Sequence, residues 1–180
     1  MNNKNLLIGG LLAVILVMAV GYAVFSTTLT VNGTANITSS WNVGYDTTKT
    51  SGTGVIATTG TASAGTITYD GTQAATIAPS LVAPGDSVTY TLTVKNTGSL
   101  NATLGAPTIT NPTGCTVSGL TCTSTSGNIK FTVTAPASSS LVASTGTTTF
   151  TVKAEFVNQE VGSATAESAG ITVNLVATQA

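Results

Sequence analysis

The chain has 180 residues with 5 Lys, 6 acids, no Arg and no His, so charged residues make up 6% of it where about 25% is ordinary. Five scattered lysines cannot form the cationic stripe that nucleic-acid binding needs, and an apolar, nearly neutral composition, 42% hydrophobic, is the opposite of the disordered signature. The 38 threonines take the place of charge: each is β-branched, which favours extended backbone, and each carries a hydroxyl that stays hydrated without ionising.

In chain order, the first feature is an export segment. Lys4 supplies the positive start, and Leu6–Val20 holds no polar side chain. Gly21-Tyr22-Ala23 places small residues where a signal peptidase reads, which predicts cleavage between Ala23 and Val24. A retained anchor is the other reading, because residues 6–25 have about the length that crosses a bilayer. Either way the rest of the chain is expected outside the cytoplasm, with Lys4 holding the N-terminus inside. Removal of residues 1–23 leaves four lysines against six acids, a formal charge of −2.

Residues 24–40 are expected to be an N-terminal strand followed by a hinge, and 41–180 the body. In Val24–Thr34, Phe25, Leu29 and Val31 fall on one face of an extended chain, while Gly33 and the polar 32–40 stretch offer flexibility. Such a segment is either the first strand of its own domain or an arm that adds to the sheet edge of another copy.

Beyond it the pattern is strand after strand. The clearest is Ser87–Asn96, where Val88, Tyr90, Leu92 and Val94 alternate with Thr89, Thr91, Thr93 and Lys95. The alternation returns at Ile129, Phe131 and Val133, at Phe150, Val152, Ala154 and Phe156, and at Ile171, Val173 and Leu175. Weaker strands are expected at Leu29–Thr38, Trp41–Asp46, Gly54–Thr59, Thr66–Asp70 and Thr103–Ile109, with Trp41 assigned to the core. Turns are marked at Pro84–Asp86, Asn96–Gly98, Asn111–Gly114 and Ser126–Asn128, and one short helical turn at Val161–Ala169. Many one-sided strands must hide their apolar faces on one another, which predicts an all-β, two-sheet β-sandwich of jelly-roll or Ig-like type behind the N-terminal signal helix. Lys95, Lys130, Lys153 and Glu155 occupy the outward phase of their strands, where charges discourage edge pairing.

Cys115 and Cys122, either side of Thr116–Thr121, have hairpin spacing, and in an exported chain they predict a disulfide. Two thiols without a histidine cannot complete a zinc shell, so no metal and no cofactor is expected. Asn32, Asn36 and Asn101 each match the N-glycosylation acceptor pattern, which in so threonine-rich a chain also arises by chance. With no His as general base, no Arg for phosphoryl transfer and no close pair among the six acids, the reading is a protein without enzymatic activity.

Two segments carry a family resemblance. Gly21–Asn42, a small-aromatic-Ala cleavage site running into a Val-Phe start, and Leu81–Leu100, a Pro-Gly-Asp turn leading a strand that ends in Asn-Thr-Gly-Ser-Leu, together resemble the TasA and camelysin family of biofilm-matrix fibre subunits. Archaeal thread and bundling-pilus subunits are similar in layout. The resemblance implies a jelly-roll-like body and a filament in which each N-terminal strand, with Phe25, Leu29 and Val31, completes a sheet of the next copy. The only partner then expected is the chain itself, with membrane contact limited to the N-terminal segment before cleavage. The metalloprotease activity associated with camelysin does not carry over, because the histidine ligands it needs are missing. The alternative from another class is a monomeric Ig-like adhesion or wall module held at the surface by an uncleaved helix.

Overall fold

The computed structural model describes residues 3–25, 33–157 and 168–180. The chain divides into two units, Met1–Ile37 and Thr38–Ala180. In the first, α1 spans Asn3–Phe25 and is apolar on every side, so it has no amphipathic stripe to lay on a core. Ala23, Val24 and Phe25 form its last turn. The described side chains from Leu7 to Met18 are exposed. Among the described residues no helix is long and apolar enough to cross a membrane. The strand expected over Leu29–Thr38 is not formed in its described part, Gly33–Thr38. That stretch is polar apart from Ala35 and Ile37, and Ile37 is 95% exposed, so there is no apolar face to drive pairing.

Fourteen strands follow among the described residues: β1 Val43–Tyr45, β2 Ile56–Thr59, β3 Thr68–Asp70, β4 Ala74–Thr76, β5 Ser87–Asn96, β6 Ala102–Leu104, β7 Thr108–Thr113, β8 Cys115–Ser118, β9 Thr121–Ser124, β10 Ile129–Thr134, β11 Ser140–Leu141, β12 Thr147–Phe156, β13 Gly170–Asn174 and β14 Ala177–Gln179. The second unit is all-β, and every strand pair is antiparallel. The main sheet runs β1-β5-β12-β10-β9-β8, with β2 also on β5. Smaller sheets run β11-β6-β14, β13-β7 and β3-β4.

The long strands β5 and β12 form the centre because their alternation is strict. Phe150 faces Leu92 and Val152 faces Tyr90 on the buried side, while Thr149 faces Thr93 and Thr151 faces Thr91 on the other. The core joins this face to Ala102, Leu104 and Leu141 of the small sheets and to Ile67, with Val173, Leu175 and Ala177 packed at its margin. Each large side chain so buried contributes about 1.5–3 kcal/mol. A second, smaller cluster of Cys122, Phe131 and Ala154 sits beneath Ala169 and Ile171.

Several expectations are corrected. The strand at Thr103–Ile109 is divided between β6 and β7 at Gly105-Ala106-Pro107, where proline removes a ladder donor. Registers on either side agree closely, Asn174 facing Thr108 and Ala177 facing Leu104, so 102–113 and 170–179 make one long interrupted ladder. Asn111–Thr113 belongs to β7 and does not form a free turn; Asn111 (φ 46) and Gly114 (φ 66) bend the chain there, and the register with β13 shifts between Gly170 and Thr172. Trp41 precedes β1 and is 46% exposed, so it is not a core residue. The helical turn expected at Val161–Ala169 falls outside the described residues except for Ser168 and Ala169, which are not helical.

Candidate functional site

A few buried polar groups, Asp86 foremost, tie the loops of the body to the main sheet. Ala83-Pro84-Gly85-Asp86 closes a turn with Asp86 N donating to Ala83 O at 3.0 Å and Gly85 at φ 90, the conformation that glycine takes without cost. The turn aims the Asp86 carboxylate, only 2% exposed, at four donors: Thr61 N (2.8 Å), Thr61 Oγ1 (2.9 Å), Val82 N (2.8 Å) and Ala83 N (2.9 Å). These bonds, that from Ala83 N foremost, hold its pKa down at about 2. Gly60 (φ 73) lies so near that a Cβ there would collide with Asp86 Oδ1. Ser63 and Ser80 exchange both backbone bonds, at 2.9 and 2.7 Å, and Tyr90 Oη donates to Ala64 O at 2.6 Å. The segment 77–83 is thereby fixed against the main sheet.

That segment lines the first of two cavities that share no lining residue but follow one run of chain, and the pair is called the slot. The facing wall is the run from Ser168 through β13 and β14, whose strand partners among the described residues are β7 and β6, both on one side. At one end, 77–82 and 168–171 enclose a cavity of about 540 Å³ floored by Phe131, Ala154 and Phe156. At the other end, Thr72 and Gln73 face Val173–Ala177 across a cavity of about 600 Å³, with Trp41 and Tyr45 on its rim and Val94 and Leu104 beneath. Tyr45 N donates to Thr72 O at 2.7 Å and Gln73 Nε2 to Val43 O at 3.1 Å, which ties this wall to β1. The ten residues 168–177 extend over about 30 Å, the length of one strand. Pro79 has no N–H, so the 77–82 wall is poorly suited to close the slot by pairing across it.

Chemically the slot offers apolar side chains and, along β13 and β14, a backbone edge with no strand partner among the described residues. Inward-facing Ile171, Val173, Leu175 and Ala177 are half-buried, whereas Thr172, Asn174 and Val176 are exposed. No cluster of three metal-ligating side chains occurs among the described residues.

The other sequence-predicted residues are dispersed. Cys115 and Cys122 are joined by a disulfide, Cα to Cα 5.7 Å, across the β8–β9 hairpin. Ala23, Val24 and Phe25 are in α1, and Leu29, Val31 and Asn32 lie outside the described residues. Asn36 is exposed with no strand around it, and Asn101 is exposed with its Oδ1 accepting from Ala143 N at 2.8 Å. Lys95 pairs with Asp46 and Lys153 with Glu155, each at 3.1 Å. The alternation at 171–175 marks a strand in the sequence, but that β7 is its one strand partner among the described residues depends on contacts remote in the chain. No known protein family matches the sequence, and neither curated proteins nor solved structures show a significant likeness to it.

Proposed function

We propose that this chain is a non-enzymatic, exported subunit of an extracellular filament, of the pilus, thread or biofilm-matrix kind. Its body is a two-sheet β-sandwich of jelly-roll type, and it polymerises when the N-terminal strand of one copy enters another. The observation that carries this reading is the slot: it has an apolar floor, and the second edge of β13–β14 has no strand partner among the described residues, the two things that an extended peptide with alternating apolar side chains recognises. Val24–Thr34 has those side chains in Phe25, Leu29 and Val31, and its length matches the edge. The resemblance of residues 21–42 and 81–100 to matrix-fibre subunits agrees with it. α1 then acts as the export signal, removed after Ala23. A contact of this kind is heterologous and does not close, so it yields open filaments.

The unbroken course of α1 across Ala23–Val24 favours a second reading, an Ig-like surface module anchored by its uncleaved helix. Electron microscopy of the secreted chain 24–180 beside a chain lacking 24–31 separates the two. Filaments from the first and soluble or unstable monomers from the second support the proposal. Normal filaments without residues 24–31, or surface material that retains Met1 and stays monomeric, would overturn it.

A further inference from the structure

The slot has two distinguishable ends, and the chain's own arm is rooted at one of them. Residues 40–42 are strapped to the loop after β5: Ser99 N donates to Ser40 O at 2.9 Å, Ser40 N to Ser99 Oγ at 2.8 Å, and Thr97 N to Asn42 O at 2.9 Å. This places Trp41 on the rim of the cavity beside Val173–Ala177. The arm therefore leaves the body at that end, and the cavity at 168–171 is the opposite end.

Polarity follows. An arm folded back into its own slot enters at the Trp41 end, with Phe25 reaching the 168–171 end, and runs parallel to β13. An arm given to the next copy along a filament leaves one body at its Trp41 end and meets the neighbour at the 168–171 end. Its Phe25 then reaches the neighbour's Trp41 end, and it runs antiparallel to β13 and β14, the orientation of every other pair in the body. With Phe25 opposite Ala177, Leu29 falls opposite Val173 and Val31 opposite Ile171, all inward positions. The Trp41 end also suits the aromatic ring, since the exposed indole and Tyr45 flank its cavity.

We infer that the donated strand binds antiparallel to β13–β14 of a second copy and seats its Phe25 against that copy's Trp41, which makes Trp41 the residue that reads the tip of the incoming strand. The inference rests on the filament reading above.

The test uses the mature chain 24–180. In assembled material, Phe25→Cys with Ala177→Cys should give a reducible ladder of cross-linked copies, and Phe25→Cys with Ala169→Cys should not. As the only tryptophan, Trp41 should shift its emission to shorter wavelength as unmodified chains assemble. Phe25→Ala should raise the concentration needed for assembly about tenfold or more, the usual effect of losing an aromatic anchor. A 25–169 ladder between copies, or filaments with unchanged Trp41 emission, overturns the inference and leaves the filament reading standing. A 25–169 link within single chains, with no filaments formed by the unmodified chain, removes both.

Discussion

Asp86 is a charged group that the fold has taken almost out of water and surrounded with donors, so its protonation state is tied to folding. Its pKa of about 2 is below the ordinary carboxyl value, which means that its contribution is complete above about pH 4 and is lost as pH falls through about 2. Asp86→Asn keeps the size but turns one acceptor oxygen into a donor facing N–H groups. Its Tm at pH 6 should fall on the order of 5 °C or more, and the loss of stability between pH 4 and pH 2 should be smaller than in the unmodified chain. A variant with an unchanged acid limb would show that another group controls it. The alkaline side belongs to Tyr90, whose hydroxyl is pushed up to about 12 by burial while it donates to Ala64 O. That stabilisation is whole below about pH 10 and is lost as pH rises through about 12; Tyr90→Phe, losing one hydrogen bond, should cost about 1 kcal/mol in denaturant melts. The sequence already points to Asp86 as an acceptor of backbone bonds, because Pro-Gly-Asp is a turn with a free carboxylate. Its partner Thr61, 25 residues earlier, leaves no local signal. Asn96 is similar: the sequence reads it as a turn residue, yet it is 1% exposed, takes Gly98 N on its Oδ1 and donates to Leu100 O and Leu141 O.

At the level of elements, legibility depends on whether a strand is one-sided over several residues. β5 and β12 are readable because ten residues alternate without a break, and β10 for the same reason over six. The short strands β4, β11 and β14 have two or three residues each, too few for period two to stand out. β14 exists because Leu104, Thr103 and Ala102 offer it an edge. The floor of the slot and its β13 wall lie in alternating runs that the sequence shows, but the other wall does not: Ile77–Val82 has no periodicity, and Ser63 and Asp86 position it from elsewhere in the chain. The β8–β9 hairpin, by contrast, is set locally by Gly119 (φ 58) and by its cysteines. Closing so short a loop stabilises by about 2–3 kcal/mol in the chain-entropy model. Replacing both cysteines by serine should therefore lower global stability by that amount and also loosen the cluster of Phe131 and Ala154 under the slot, since Cys122 is fully buried in it. Urea melts check the first effect, and faster amide exchange at Phe131 checks the second; exchange unchanged at Phe131 with a full loss of stability would mean that the disulfide acts only on the unfolded chain.

For the molecule as a whole, the scarcity of charge has a measurable consequence. The outward side of the main sheet is a ladder of hydroxyls, Thr93 beside Thr149, Thr151 between Thr91 and Thr134, and Thr123 beside Thr116, and cross-strand pairs of this kind contribute about 0.2–1 kcal/mol each without any net charge. The two described ion pairs are partly exposed, with the lysine side chains about a third open to solvent, and pairs like them are worth about 0–1 kcal/mol. Raising salt from 0.1 to 1 M shortens the screening length from about 10 to about 3 Å, so it removes little that holds the body together. The contact between copies is expected to depend even less on charge, because residues 24–34 and the inward positions 171–177 contain no ionisable side chain. Main-chain bonds and apolar contacts remain, and apolar burial is not weakened by added salt. Thermal melting of the mature body should therefore move by no more than about 3 °C between 0.1 and 1 M NaCl, and filaments should persist through the change in sedimentation assays. Dissociation by 1 M NaCl would mean that copies meet through Lys130, Lys153 or Lys95 on the outward face of the main sheet, and the slot would then no longer be the junction.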